Sequence, residues 1–263
     1  MGLNAEYKLD DEKNFYAGFS QAYRPVIFKD IIPASVFERS DKNLKDARGY
    51  NLEAGFRGKS QYFKWDLGIF QVQYNNRLGN QSLNENGQFL IYRTNIGNSM
   101  TRGVEAFGEY STYITEGVRF SIFTSTSYMK AKYENAQIRM GNENKNISGN
   151  QVESVPKWIS RNGATVRYNK LSITALYSYT AESFADPLNT VIPSANGAVG
   201  LVPAYGLLDI NASWRISSQI LLRMSLNNVT DEKYFTKRPL FYPGPGIWTS
   251  DGRGANISIA FKL

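Results

Sequence analysis

Cysteine and histidine are both missing from the 263 residues, and so is any long apolar run. Without these two residue types the chain has no thiol nucleophile and no histidine-based catalytic triad, and we expect no zinc site, because Cys and His are the usual zinc ligands. No segment approaches the roughly 18 consecutive apolar residues that a membrane-spanning helix requires. Strands are therefore the elements to look for.

The basic excess of the chain is scattered rather than clustered. Lys and Arg number 30 against 23 Asp and Glu, for a formal net charge of +7. No dense basic run and no nucleic-acid motif is present, so we expect no nucleic-acid partner. Aromatic residues are abundant, with 17 Tyr and 15 Phe, as in the interfacial girdles of membrane barrels.

Alternation of apolar and polar residues is clearest at the C-terminus. Residues 220–227 and 255–263 each alternate without a break, which predicts strands with one apolar and one polar face. The chain shows no helix pattern that could cover the apolar face. A lipid bilayer needs no such cover, so the pattern predicts an all-β fold, an antiparallel transmembrane β-barrel or part of one.

Short polar turns recur roughly every 50 residues, separated by long polar segments, as in a repeat of strand, long loop, strand and short turn. The predicted short turns are residues 10–14, 58–61, 115–117, 169–170 and 217–219. The predicted long loops are residues 24–49, 75–88, 134–154, 184–203 and 229–252. This frame gives ten strands between residues 15 and 263, with an eleventh at residues 3–9. In a bacterial outer membrane the short turns are expected on the periplasmic side and the long loops outside.

Several segments resemble the TonB-dependent receptors, which are plugged outer-membrane barrels of 22 strands. The segments are residues 14–25 (NFYAGFSQAYRP), 51–57 (NLEAGFR), 101–105 (TRGVE), 226–235 (LNNVTDEKYF) and 252–253 (GR). They occur in the order of the family, each on a predicted strand or strand end. Residues 24–33, 237–239, 242–247 and 251–253 resemble, more narrowly, the ferric dicitrate receptors. The terminal Leu263 departs from the aromatic residue with which the family usually ends.

The resemblance implies a fold and a function. Residues 1–263 would form a single partial domain, the C-terminal half of the barrel, without the plug domain or TonB box. No signal peptide opens the sequence, and we expect either a mature form or, preferably, a fragment that alone does not restore growth on the chelate. The intact receptor would take up a ferric chelate such as ferric citrate with energy from the TonB complex. The iron would enter as part of the chelate, so no resident cofactor or protein metal ligand is expected. Lipid and lipopolysaccharide would surround the barrel.

Recognition of an anionic chelate would need cations at the loop side, and Arg suits carboxylates because its planar fork donates two hydrogen bonds. Solvated loop charge, or a contact to lipopolysaccharide phosphate, is the alternative for each candidate. Trp248 is added because it lies in the last loop, where neither a core nor a girdle accounts for it. The candidates are Arg24, Lys29, Arg93, Arg139, Lys237, Arg238, Trp248 and Arg253.

Four carboxylates, Glu53, Asp66, Glu105 and Glu109, fall on the polar face of predicted strands. These carboxylates could form a glycosidase or Ca²⁺ site. We favour the alternative, in which they belong to an ordinary polar lumen and pair with Arg57, Lys64 and Arg119 on neighbouring strands. An outer-membrane lipase or protease would need the missing His, so no enzyme is predicted. Trp65, Trp158, Trp214 and Tyr168 are predicted girdle residues.

Two other functions stay open. A small self-contained porin or adhesin barrel would need residues 15–23 to pair with residues 255–263. A soluble carbohydrate-binding β-protein would need its apolar faces buried inside the fold.

Overall fold

A computed structural model describes residues 1–33, 35–239 and 245–261. Within these ranges the one helix is a single turn, α1 (Phe28–Ile31). In chain order the strands are β1 (Gly2–Lys8), β2 (Lys13–Arg24), β3 (Glu38–Ser40), β4 (Ala47–Lys59), β5 (Phe63–Glu85), β6 (Gln88–Thr115), β7 (Val118–Glu134), β8 (Gln137–Met140), β9 (Glu143–Asn146), β10 (Trp158–Tyr168), β11 (Leu171–Thr180), β12 (Ser183–Phe184), β13 (Leu201–Val202), β14 (Tyr205–Arg215), β15 (Ile220–Asn227), β16 (Phe235–Lys237), β17 (Trp248–Thr249) and β18 (Gly254–Phe261).

The main sheet has twelve strands, and its path is an antiparallel meander in the order β1-β2-β4-β5-β6-β7-β10-β11-β14-β15-β18. Strand β3 joins it off this path, parallel to β6. The pairs β8-β9, β12-β13 and β16-β17 form small hairpin ladders in the long connections. The predicted antiparallel all-β fold is confirmed, and the segment predicted as an eleventh strand is β1.

Side chains alternate between an apolar and a polar face along this meander. Leu67 and Ile69 on β5 face the same way as Val104 on β6, and all three are at least half exposed, at 52%, 61% and 50%. Asp66 and Glu105, one residue away in each strand, lie on the opposite face. An uncovered aliphatic band backed by a polar face is the arrangement of a sheet in a bilayer. The transmembrane barrel fold follows from this pattern.

Aromatic residues mark both ends of the apolar band, as predicted. At the short-turn end, the Trp65 ring lies 5.7 Å from Phe63 and 5.8 Å from Phe56, centroid to centroid. At the opposite end, Trp158 lies 6.0 Å from Tyr128. Rings with one wet and one apolar side suit the membrane interface.

The predicted loop at residues 75–88 is wrong. Strands β5 and β6 continue through it as a ladder that ends at the two-residue turn Asn86-Gly87. Both turn residues have positive φ, 52° and 83°, which is the backbone that Asn-Gly favours in tight hairpins. These strands are 23 and 28 residues long, beyond the roughly 9–11 residues that cross a bilayer. They project well past the membrane on the long-loop side.

The buried apolar core lies at the long-loop end of the sheet rather than between layers. Ala131 and Tyr133, near the end of β7, pack with Ala136, Ile147 and Val152 from the following connection. The Tyr133 hydroxyl donates to Glu153 at 2.5 Å. This long connection is therefore a folded element that holds its shape next to the strands.

The sheet is open in the part of the chain that the structure describes, because no ladder there joins β1 to β18. Strand β2 has a partner on each side, β1 and β4. The closure that the porin or adhesin alternative needs, β2 against β18, is thus not formed. Among the described helices, none has the length and apolarity to cross a membrane.

Candidate ligand site in the long loops

The last loop presents Trp248 and Lys237 side by side. They are cross-strand partners in the β16-β17 ladder, which is extended by the Ser250 amide donating to the Tyr234 carbonyl at 3.2 Å. Trp248 is 53% exposed, and Lys237 is also exposed. A large aromatic ring and an ammonium group therefore face solvent from one short ladder. Of the segment with the narrower resemblance, residues 242–244 lie outside the described residues.

Arg238, next in the chain, joins two long loops. Its Nε donates to the Leu201 carbonyl at 3.0 Å and its Nη1 to the Gly197 carbonyl at 2.9 Å. The guanidinium also lies over the Phe235 ring, 4.8 Å from the centroid. No carboxylate pairs with Arg238 among the described residues. Its position is fixed by backbone carbonyls, and its full charge is not neutralised.

Glycine makes this loop crossing possible. Gly197 closes a turn at φ +72°, and a Cβ there would lie 3.3 Å from the Gly246 Cα and 3.8 Å from the Arg238 Nη1. A side chain would press both the facing loop and the guanidinium. The close approach of the two loops therefore depends on glycine at this position.

Arg253 lies at the foot of the same loop, just before β18. Its amide donates to the Asp231 carboxylate at 2.9 Å, and Lys233 lies 2.9 Å from the other Asp231 oxygen. These contacts, led by the Arg253 amide, lower the pKa of Asp231. The Arg253 side chain itself is exposed.

Arg24 ends β2 and is paired with a carboxylate. Its Nη2 lies 3.1 and 3.3 Å from the two Asp30 oxygens, and Asp30 also accepts the Ile27 amide at 3.2 Å. Burial would raise the pKa of Asp30, but the Ile27 amide and the Arg24 charge outweigh it and lower the pKa. Arg24 thus anchors α1 within the first loop.

Arg93 and Lys29 meet across the same loop. The Arg93 Nη1 donates to the Lys29 carbonyl, and its Nη2 lies 3.7 Å from Glu38. The Lys29 side chain is exposed, while the Arg93 side chain is only 24% exposed. Like Arg24, Arg93 therefore has a carboxylate neighbour.

The predicted residues thus form two separate groups. Lys237, Arg238, Trp248 and Arg253 belong to the last loop. Arg24 and Lys29 belong to the first loop, and Arg93 contacts that loop from strand β6. In the described part of the chain no direct contact joins the two groups, and Arg139 lies apart in the β8-β9 hairpin, where it donates to the Gly141 carbonyl at 2.7 Å.

Sequence reasoning missed the partners of these cations. Asp30 could have been found, because an acidic residue in the first turn of a helix caps its free amides. The carbonyls of Gly197 and Leu201 leave no signal in residue identity.

On the polar face, the predicted pairing of luminal cations with Glu53, Asp66, Glu105 or Glu109 holds for Lys64, whereas the ion pair of Arg57 is with Glu6, outside these four carboxylates. Lys64 lies 3.6 Å from Glu109, and Arg57 lies 3.9 Å from Glu6. Arg119, by contrast, stands directly opposite Arg167 in the β7-β10 register, because alternation puts an arginine of each strand on the same face. The prediction that Arg119 pairs with a carboxylate is therefore wrong.

Comparisons with known proteins agree with this architecture. The family described as TonB dependent receptor-like, beta-barrel matches residues 2–229. The chain belongs to this family. The family resides in the outer membrane and consists of transporters and receptors rather than enzymes.

Individual relatives are distant, and the chain spans only part of them. The vitamin B12 transporter BtuB of Vibrio vulnificus is 20% identical over 234 residues, which cover 89% of this chain and 33% of the length of BtuB. The probable TonB-dependent siderophore receptor PiuA of Acinetobacter baumannii is 28% identical over 116 residues, 44% of this chain and 14% of its own.

Solved structures show the same fold. The unliganded ferric citrate transporter FecA superposes with a TM-score of 0.77 at 22% identity, and the match covers 100% of this chain and 38% of the FecA chain. The siderophore receptor PiuA from Acinetobacter baumannii gives a TM-score of 0.74 at 18% identity, covering 99% and 35%.

Proposed function

We propose that the full-length receptor takes up an anionic ferric chelate across the outer membrane, with ferric citrate as the first candidate. The observation that carries the proposal is Arg238, whose charge is fixed at the crossing of two long loops and has no carboxylate partner among the residues that the structure describes. A cation held in place but not neutralised is available to an anionic ligand.

The chemistry of the last loop suits a carboxylate-rich complex. Arg238 and Arg253 offer planar donor forks, and Lys237 adds a mobile ammonium group. Trp248 can cover the bound complex and exclude water, which strengthens these charge contacts. Iron would arrive within the chelate as cargo, without protein ligands.

The first loop has a different proposed role. Arg24 and Arg93 stand near Asp30 and Glu38, so their charges serve mainly to hold the loop. Lys29 keeps an exposed side chain and remains a candidate contact for the ligand. Closure of both loops over the chelate would bring the two groups together.

The names of the relatives support uptake but not one ligand. FecA is a ferric citrate transporter, PiuA a siderophore receptor and BtuB a vitamin B12 transporter. The choice of ferric citrate therefore rests on the loop cations and on the motifs at residues 24–33 and 237–253.

Transport would proceed through the lumen. The long loops would face the medium and the short turns the periplasm, with lipid and lipopolysaccharide around the apolar band. Energy from the TonB complex would act through a plug segment of the full-length receptor and open the path.

The test is ferric citrate binding to the purified full-length receptor. Arg238→Ala and Arg253→Ala should each weaken binding by about 1–3 kcal/mol, the usual cost of losing a charged hydrogen bond. Arg238→Gln keeps donors for the two carbonyls but removes the charge, so it should lose affinity too, whereas Arg238→Lys should retain part of it.

Arg139→Ala is the matched control, because Arg139 is a loop cation outside both groups. An uncharged ferric chelate is the ligand control. Unchanged affinity for ferric citrate in both Arg238→Ala and Arg253→Ala would reject the site.

A further inference from the structure

The apolar face of the sheet carries a groove that spans β6 to β14. Its volume is about 510 Å³, and it is lined mainly by apolar side chains. Gly108 and the cross-strand partners Ala164 and Ala175 leave room for it because their side chains are short or absent, and Tyr110 and Tyr177 line it as well. These five residues define what we call the wall groove. It lies on the face that the apolar band presents to the bilayer, so it opens toward lipid.

The position of the wall groove in the sheet keeps it facing lipid in the full-length receptor. Each of β6, β7, β10 and β11 already has a strand partner on both sides. Further barrel strands can therefore join the meander only at its two edges, β1 and β18. A plug lies inside a barrel, on the polar face, and does not reach this outer wall.

One amide donor at the wall groove has no acceptor. Thr124 and Asn162 both line the groove, and Thr124 donates to the Asn162 oxygen at 2.7 Å. The Asn162 amide donates to Ser160 at 2.9 Å, and Ser160 is its one acceptor among the residues that the structure describes. An asparagine amide has a second N–H. In an apolar setting that donor is costly unless it is bonded, and an oxygen on an acyl lipid would satisfy it.

Two cations lie on the long-loop side of the wall groove, on the same face of the sheet. Arg102 on β6 and Lys130 on β7 are direct cross-strand partners, and both are exposed. Arg102 donates to Gln71 at 2.7 Å, and the Lys130 Nζ lies 5.9 Å from the centre of the Tyr128 ring. Within the described ranges neither cation has a carboxylate partner. Like charges directly opposite each other destabilise a sheet, so an anion bound between them would be stabilising.

The order of these groups along the strands matches the order of groups in a phosphorylated lipid. From the long-loop side, one face of β7 carries Lys130, Tyr128, Thr126 and Thr124 in turn. The Tyr128 ring lies 6.0 Å from that of Trp158, and such rings mark the membrane interface. Cations therefore lie at the headgroup level, and hydrogen-bonding groups and then the wall groove lie deeper, where acyl chains run.

We infer that the outer wall binds one anionic acyl lipid at a specific site formed by Arg102, Lys130, Asn162 and the wall groove. The lipid phosphate pairs with the two cations, as basic pockets pair with lipid headgroups. An oxygen of the acyl chain accepts the second N–H of Asn162, and the chain fills the groove. The site is separate from the loop cations and does not depend on which chelate they bind.

The experiment measures lipid binding to the purified full-length receptor in detergent micelles by native mass spectrometry. The probe is dioleoyl phosphatidylglycerol, and dioleoyl phosphatidylcholine, with the same chains but no net charge, is the reference lipid. Wild type should prefer phosphatidylglycerol by about tenfold, because each cation near the headgroup attracts an anionic lipid. Arg102→Gln/Lys130→Gln should lose most of this preference. Arg139→Gln/Lys145→Gln, which removes two exposed cations from the β8-β9 hairpin, is the control and should keep it.

A second pair of variants tests the wall groove itself. Ala164→Leu/Ala175→Leu fills the groove with side chains that suit a lipid-facing wall, and it should weaken binding of both lipids by about fivefold. Ala17→Leu/Ala54→Leu is the matched control, because Ala17 and Ala54 are also cross-strand partners on the apolar face, on β2 and β4. This control should bind both lipids as wild type does.

Three results would overturn the inference. The first is equal affinity of wild type for the two lipids, or an unchanged preference in Arg102→Gln/Lys130→Gln. The second is an equal loss of binding in Ala164→Leu/Ala175→Leu and in its control, because lipid would then cover the whole wall without a site. The third is a receptor dimer that only Ala164→Leu/Ala175→Leu dissociates, because a second copy would then occupy the groove.

Discussion

The Arg24 guanidinium lies 3.1 Å from the Asp30 carboxylate, and it is the aspartate, only 8% exposed at its side chain, that is buried. Asp46 organises the same segment, since it accepts the Val26 amide and the Tyr23 hydroxyl, both at 2.8 Å. The start of the first loop is therefore built around two carboxylates. Arg24 pairs with a carboxylate there, whereas Arg238 in the last loop pairs with none in the described part of the chain.

Removal of the Arg24 side chain should loosen the first loop. In Arg24→Ala the buried Asp30 keeps its charge but loses its guanidinium partner, at a cost of about 1–3 kcal/mol. Hydrogen exchange of the amides of residues 26–31 should become faster by the factor to which this loss of free energy corresponds. The double change Arg24→Gln/Asp30→Asn removes both charges and should exchange more slowly than Arg24→Ala. Equal exchange in wild type and Arg24→Ala would show that the pair does not hold the loop.

Acid should open the same segment. The pKa of Asp30 is lowered by the Ile27 amide and Arg24 despite its burial, and that of Asp46 is lowered by the Val26 amide and Tyr23. A carboxyl with a lowered folded pKa stabilises the fold fully above its ordinary value of 3.8 and loses that effect as the pH falls through the folded value. Limited proteolysis of residues 25–46 should therefore be constant from pH 7 to about pH 5 and increase below about pH 4. The acid-induced increase should be smaller in Asp46→Asn, which is already partly open at pH 7.

Much of the sheet could be predicted from the sequence because its physics is local. Alternation at residues 220–227 and 255–263 fixes which side chains face lipid, and the short turns fix the order of the strands. Residues 75–88 were predicted wrongly because their polar composition hid two strands. The Asn86-Gly87 dipeptide was the available signal, since it favours a two-residue hairpin.

The loop site could be predicted only as a set of residue types. Charge and position singled out Arg238, but its bonds go to carbonyls 37 and 41 residues earlier, and backbone acceptors are the same at every residue. Arg119 was given a carboxylate partner, although the register places Arg167 opposite it. Cross-strand neighbours depend on the exact pairing of strands, which composition does not determine.

Close approach at Gly55 should make that position intolerant of a side chain. A Cβ there would lie 2.4 Å from the Tyr16 ring carbon Cζ and 2.7 Å from the Leu67 carbonyl oxygen. Gly55→Ala should displace Tyr16 from Asp66 and destabilise the barrel by about 1–3 kcal/mol. The measure is the midpoint of denaturant unfolding in detergent micelles. Gly254→Ala is the control, because a Cβ at Gly254 meets no described atom within 4 Å, and it should leave the midpoint nearly unchanged.

A closed ring of polar side chains faces lipid between β7 and β10. Thr124 donates to Asn162 at 2.7 Å, Asn162 donates to Ser160 at 2.9 Å, Ser160 contacts Thr126 at 2.9 Å, and Thr126 contacts Thr124 at 3.2 Å. Breaking one hydrogen bond of this ring should lower the free energy of unfolding more than replacing all four polar side chains. Thr124→Val leaves Asn162 without a donor in an apolar setting and should cost about 1–3 kcal/mol.

Replacement of the whole ring is the test of that reasoning. The fourfold variant Thr124→Val, Thr126→Val, Ser160→Ala and Asn162→Leu leaves no unpaired polar group, so its unfolding midpoint in lipid vesicles should equal or exceed that of wild type. The single Thr124→Val variant should be the least stable of the three proteins. If the fourfold variant is less stable than the single one, the ring contributes through its hydrogen bonds rather than through the cost of breaking them. A stable fourfold variant would instead show that the bilayer accepts either a closed polar ring or none at this height, but not half of one.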